Sequence, residues 1–171
     1  MADGCYRWAG GDQWKQWLDR HGSAMLLLAR QWAASQSDAE DIVQEAFIRF
    51  WRSRERVSEP TGYLFACVKH VALDWQRGRR RQVRREAGVA RPESESMFVA
   101  PIEQDERRSA IEAALRSLPE NQAEVLVLRI WGELTFPQIA AALGTPENTA
   151  ASRYRYALAR LREQLAEETI P

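Results

Sequence analysis

Six arginines fall within the nine residues Arg77-Gly78-Arg79-Arg80-Arg81-Gln82-Val83-Arg84-Arg85. Guanidinium groups at that density suit a polyphosphate backbone, because each phosphate they neutralise releases condensed counterions. The plain alternative is a solvated helix end whose arginines bind nothing. A second set of donors lies nearer the C-terminus: Asn148, Thr149, Ser152, Arg153, Arg155 and Tyr156. Asparagine can pair with an adenine edge and arginine with a guanine edge, while Thr149, Arg153 and Tyr156 are of the kind that reaches phosphates. A third set, Asp41, Gln44, Glu45 and Ile48, recurs at i, i+3, i+4 and i+7, so it forms one stripe of a helix. An isoleucine among acids has the composition of a protein-docking surface. A single exposed apolar residue is common, however, and the stripe taken alone reads as ordinary surface.

Residues suited to covalent or metal chemistry do not gather. Cys5 and Cys67 stand far apart, with no histidine or second cysteine beside either, which argues against a disulfide framework or a zinc site. Cys67 reads as a small buried hydrophobe. His70 has no Ser, Cys or Asp partner suggested by spacing. Asp38, Glu40 and Asp41 could hold a metal in a nuclease, but they sit at a helix start where capping and the dipole already account for acids. No glycine-rich phosphate loop is present. No catalytic residue, metal or cofactor is expected. The longest apolar run, 24–29, is cut by Arg30, and no secretory pattern opens the chain, so neither membrane insertion nor export is expected and the cytoplasm is the expected compartment.

The 171 residues carry zero net formal charge, which at first speaks against a nucleic-acid partner. The distribution reverses that reading. Residues 1–48 hold four basic and seven acidic groups, residues 49–85 hold eleven and three, and residues 86–171 hold nine and fourteen. A strongly basic middle is flanked by acidic ends.

These groups must be positioned by helices, because period-3.6 patterns recur and period-two alternation does not persist. Helices are expected near 11–33, 38–54, 60–84, 106–116, 119–131, 135–143 and 146–167. In the second, Ile42, Val43, Ala46, Phe47 and Phe50 share the core face; in the third, Leu64, Cys67, Val68, Val71, Ala72 and Trp75 do. The opposite side of the third carries Lys69, His70, Leu73, Gln76 and Arg77. Trp51 or Tyr63 is a candidate to stack on an exposed base, with loop 53–61 as a place to hold one. Between the third and fourth helices, prolines, small polar residues and excess acid mark a flexible linker. Near the C-terminus, Thr135-Phe136-Pro137-Gln138 has capping-box form and Gly144 can close a helix in the left-handed conformation. Thr145-Pro146 then restarts the chain as N-cap and first-turn proline. Helix, glycine turn, helix is the geometry that sets a second helix into the major groove. Ala150, Tyr154, Ala157, Leu158 and Leu161 of that second helix are expected in the core.

Three of these segments, in this order, resemble the extracytoplasmic-function (ECF) group of bacterial RNA polymerase sigma factors. Residues 38–47 (DAEDIVQEAF) look like that family's polymerase-docking helix. Residues 63–81 (YLFACVKHVALDWQRGRRR) are similar to its minus-ten recognition and melting segment. Residues 118–165, with LPENQAEVLVLR, LTFPQIAAALG and NTAASRYRYALARLREQL, resemble its minus-thirty-five domain. The likeness covers nearly everything from Trp14 to Leu165.

The resemblance implies an all-α fold of two small helical domains. Residues 1–85 would be a region 2-like domain, 86–105 an acidic linker threading polymerase near the RNA path, and 106–171 a region 4-like helix-turn-helix domain. It assigns Asp41, Gln44, Glu45 and Ile48 to the clamp helices of the polymerase β′ subunit. It assigns Lys69, His70, Asp74, Gln76, Arg77, Arg80 and Arg81 to the minus-ten element, and Asn148, Thr149, Ser152, Arg153, Arg155 and Tyr156 to the minus-thirty-five element. Implied partners are core RNA polymerase, including its β flap, and promoter DNA, with room for an anti-sigma factor. Family members commonly carry asparagine where His70 stands and lysine where Ala151 stands, and both departures bear on the promoter sequence. With six residues after Leu165, no fused sensory domain is expected. Read from the residues alone, a dimeric helix-turn-helix repressor and a metal-dependent nuclease remain open alternatives.

Overall fold

The structure, a computed structural model, describes residues 13–85 and 102–168, the side chains of Arg80, 82–85, 102–108 and 165–168 excepted. Its elements are α1 (Gln13–Ala29), α2 (Gln36–Ser53), a short 3-10 turn (Arg54–Arg56), α3 (Pro60–Arg85), α4 (Ile102–Arg116), α5 (Glu120–Ile130), α6 (Phe136–Leu143) and α7 (Glu147–Glu168). Among the described residues all regular structure is helical, as the missing period-two pattern predicts.

Helices α1 to α3 pack on one another around an aromatic core. Met25, Leu28, Ile42, Phe50, Leu64 and Phe65 are fully buried, each such side chain contributing on the order of 1.5–3 kcal/mol. Phe50 is the hub, with its ring centroid 4.9 Å from Trp17, 6.0 Å from Phe47 and 6.4 Å from Tyr63. Helix α2 begins two residues before its expected start because Ser35 caps it, its hydroxyl accepting from the Asp38 amide at 3.0 Å. The core faces expected of α2 and α3 are the buried ones, with Phe47 and Trp75 partly covered. Leu73, expected on the outer side of α3, also packs against the core.

Helices α4 to α7 form the second set. Six consecutive residues of α5, Ala123 to Leu128, are buried, since α7, α6, α4 and α1 surround this helix. The turn after α5 needs glycine at Gly132, where a Cβ would lie 2.6 Å from the Leu128 carbonyl oxygen, while Glu133 takes the left-handed φ of 56°. The Thr135–Gln138 capping box is complete, and Gly144 closes α6 at φ 63°. Ala150 and Ala157 are buried, with Tyr154, Leu158 and Leu161 packed beside them, as expected. Pro146, rather than Thr145, stands immediately before α7, its carbonyl accepting from the Ala150 amide.

One boundary needs correction. Most of the expected linker lies outside the described residues, but positions 102–105 belong to α4. Acidic residues suit a linker and the start of a helix alike, so composition did not separate the two here. The two sets touch, α3 lying against α6 and α1 against α5.

Candidate nucleic-acid and protein interfaces

The acidic stripe stands on α2, whose opposite face is locked into the aromatic core. Asp41, Gln44 and Glu45 are exposed. Ile48 is half-buried rather than exposed, so the stripe is more polar than its sequence suggests. Glu45 accepts from Arg49 at 2.8 Å, a solvent-facing pair of small energetic weight. Asp38 and Glu40 do not project with Asp41: Arg79 reaches Asp38 at 3.0 Å and Gln36 donates to Glu40 at 2.7 Å. Among the described residues no three His, Cys, Asp or Glu side chains gather as metal ligands would.

The outer face of α3 is basic, but much of its charge is engaged. Lys69 Nζ lies 2.9 Å from Glu124 Oε2, and the Glu124 side chain is only 3% exposed. Asp74 sits between Arg49 at 3.8 Å and Arg77 at 3.6 Å. Arg81 donates to the Arg77 carbonyl at 3.3 Å. His70, Asp74, Arg77, Arg79 and Arg81 are exposed and Gln76 is half-buried; the Arg80 side chain lies outside the described residues. Thus the α3 residues share one helix, and Lys69 is drawn under the second helical set.

The aromatic expectation fails for Trp51. Its ring stacks on Phe47 at 5.7 Å and 23°, and the Arg54 guanidinium lies 3.8 Å over it, so little ring face is left for a base. Tyr63 is half-buried beside Phe50. Loop 53–61 is not an open pocket either. Its Glu59 accepts from the Gly62 amide at 2.6 Å and from Gln138 Nε2 of α6 at 2.7 Å.

On α7, Asn148, Arg155 and Tyr156 are exposed, and Thr149, Ser152 and Arg153 half-buried. Ser152 Oγ donates to the Asn148 carbonyl at 2.8 Å, and Arg155 donates to Ser152 Oγ at 3.4 Å. The capping box of α6 and the Gly144 turn fix where this helix starts, so its first two turns project together.

Two titratable groups bear on what the arrangement can do. Burial pushes the Glu124 carboxyl above the usual carboxylate range, with Lys69 pulling the other way. Burial likewise raises the Cys67 thiol, opposed by a hydrogen bond with Tyr63, so it is poorly suited to act as a nucleophile.

Reading the sequence missed the residues that join the two sets: Arg30 with Glu112, Lys69 with Glu124, and Glu59 with Gln138. A signal existed for one of them. Glu124 interrupts the run Ala123-Glu124-Val125-Leu126, and a carboxylate in a helix apolar on all sides needs a cation nearby.

Comparison with known proteins adds the following. The family model described as Sigma-70 region 2 matches residues 17–82, and the one described as Sigma-70, region 4 matches residues 108–161. The "ECF RNA polymerase sigma factor SigE" of Mycolicibacterium smegmatis is 35% identical over 173 residues, an alignment covering 94% of this chain and 66% of that protein. The "RNA polymerase sigma-E factor" of Streptomyces coelicolor is 30% identical over 156 residues, covering 90% of this chain and 86% of that one. In structure, the sigma factor RpoE, solved in complex with the anti-sigma factor NepR from Bartonella quintana, aligns with a TM-score of 0.65 at 25% identity, covering 89% of this chain and 96% of that one.

Proposed function

The chain belongs to the ECF group of RNA polymerase sigma factors, a family of transcription initiation, and from that premise we propose that it carries core polymerase to promoters and reads them with two separate helices. Asp41, Gln44, Glu45 and Ile48 on α2 contact the clamp helices of β′, and the second helical set meets the β flap. His70, Asp74, Gln76, Arg77, Arg80 and Arg81, joined by Lys69 once it is free, grip and open the minus-ten element. Asn148, Thr149, Ser152, Arg153, Arg155 and Tyr156 read the minus-thirty-five element. The action is non-enzymatic and cytoplasmic: binding energy for the opened strand, rather than a nucleotide, drives melting. By analogy with the RpoE–NepR complex, an anti-sigma factor regulates it.

The observation that carries this reading is that an acidic α2 face and the first turns of α7 both stand open, on separate helical sets. A single rigid reader would need both DNA helices on one face; two tethered readers need only a scaffold that spaces them. The experiment is transcription in vitro with purified core polymerase and genomic promoter fragments. Start sites that appear only when this chain is added support the proposal. Tight duplex binding by the chain alone, with no core-dependent transcripts, overturns it in favour of a repressor.

A further inference from the structure

The three ion pairs Arg20–Glu133, Arg30–Glu112 and Lys69–Glu124 join the two helical sets, and all run the same way among the described residues. The cation comes from α1, the turn that follows it or α3, and the carboxylate from the C-terminal set. Arg20 and Glu133 are more than two-thirds exposed, so that pair contributes little. The other two are largely buried, and Arg30 reaches Glu112 Oε2 through both Nε and Nη2, at 3.2 and 3.0 Å. The C-terminal set therefore offers carboxylates to the N-terminal set's cations, much as a DNA backbone would offer phosphates.

Resting on the sigma-factor reading above, we propose that Glu124 is an internal stand-in for a DNA phosphate, holding Lys69 in the closed chain so that Lys69 reaches DNA only after the two helical sets part. The pairing suits a latch that must open. Burial of Glu124 opposes its charge, so the carboxylate tolerates the site only with Lys69 beside it. Arg30 keeps one buried nitrogen, Nη1, without a partner, so the junction is incompletely satisfied in a way a permanent core rarely is. Gly62 leaves little space at the junction: an added Cβ would lie 2.6 Å from Glu59 Oε2 and 3.3 Å from the Gln138 carbonyl oxygen.

The test uses the full chain and two independent ways of opening it. Gly62→Leu wedges α3 from α6, displacing the Glu59 carboxylate that bonds Gln138, while leaving the Lys69 and Glu124 side chains unaltered. Glu124→Lys replaces attraction by repulsion, and the exchanged pair Lys69→Glu with Glu124→Lys restores it. Small-angle X-ray scattering reads the opening, and anisotropy of a fluorescein-labelled non-specific duplex, titrated with salt, reads the freed cation. Both single variants are expected to enlarge the radius of gyration, and the exchanged pair to recover the compact value. Gly62→Leu should also bind the duplex several-fold more tightly, its log–log salt slope steeper by about one, as expected for one added phosphate contact. A compact exchanged pair with an expanded Glu124→Lys supports the latch. An expanded Gly62→Leu with unchanged affinity and slope overturns it, as does a Glu124→Lys chain that stays compact. Core-dependent transcription by the unaltered chain reports separately on the sigma reading, so loss of the latch alone leaves that reading standing.

Discussion

Helix α3 carries seven basic residues against one acid, whereas α7 carries four of each. On charge alone α3 would be the stronger partner for DNA. In the structure part of that charge is already engaged: Lys69, Arg77 and Arg79 face Glu124, Asp74 and Asp38, while Arg155 projects with Ser152 as its neighbouring acceptor among the described residues. The comparison separates how much charge a segment has from how much of it is free. A near-neutral helix with open donors can bind at once, and a strongly basic one can be held back by carboxylates of its own chain.

The largest effect should come from removing what would release α3. Asp41→Lys combined with Glu45→Lys reverses the charge of the face proposed to dock, and a like-charge juxtaposition costs several kcal/mol at an interface. Core association is expected to fall by about a hundredfold or more, at roughly 1.4 kcal/mol per tenfold. Both residues are exposed and the Glu45–Arg49 pair that is lost faces solvent, so the thermal melt should move little. Titration of labelled chain with purified core decides it, and unchanged affinity would remove the α2 stripe from the docking surface.

Arg155→Ala should act on the α7 side alone. Loss of a base-reading arginine costs about 1–3 kcal/mol and relaxes preference at one base position. Promoter-fragment binding by the core complex should weaken by roughly five- to a hundredfold at that affinity scale. The compact form should be untouched, since Arg155 makes no cross-set contact among the described residues. Equal loss across all base substitutions would instead make Arg155 a phosphate contact.

Thr135→Ala tests whether α7 owes its openness to the turn that sets it. Removing the capping hydroxyl and its partner Gln138 geometry should destabilise the second set by about 1 kcal/mol, read as a lower urea midpoint. Minus-thirty-five binding should fall by less than in Arg155→Ala. A variant that loses stability without any change in promoter preference fits; altered preference would mean that the cap also fixes the groove angle.

Much of this contrast was legible in the sequence, and the reason lies in local chemistry. Thr135 and Gln138 act within one turn and Gly144 through its own backbone, so their roles can be read from neighbouring letters, and the start of α7 follows. The core faces of α2 and α3 follow from periodicity in the same way. Occlusion of Lys69 depends on a residue 55 positions away, and no local rule reports such a pairing. Trp51 failed for a related reason: its exposure was decided by Phe47 and Arg54 together, not by its own type. The boundary at 102 slipped because acids serve a linker and a helix's first turn equally well.

The smallest effect concerns the core on which α3 rests. His21 is buried, its ring 5.1 Å from Trp17 and 5.9 Å from Phe65. Burial lowers its proton affinity, Arg20 lowers it further, and Glu133 opposes both. The unfolded chain, with an ordinary imidazole near pH 6.5, therefore takes up a proton before the folded one does. His21's contribution to stability is complete above that pH and is lost as pH falls below it towards the depressed folded value. Glu124 works in the opposite direction, since a raised carboxyl favours the folded form on acidification. The informative quantity is thus the difference between the parent and His21→Phe, which keeps the ring contacts and cannot protonate. Urea unfolding at pH 7.5 and pH 5.5 should show the parent losing more stability than the variant. If both lose the same amount, His21 is not held neutral by its surroundings, and the aromatic core beneath α3 is wetter than the packing indicates.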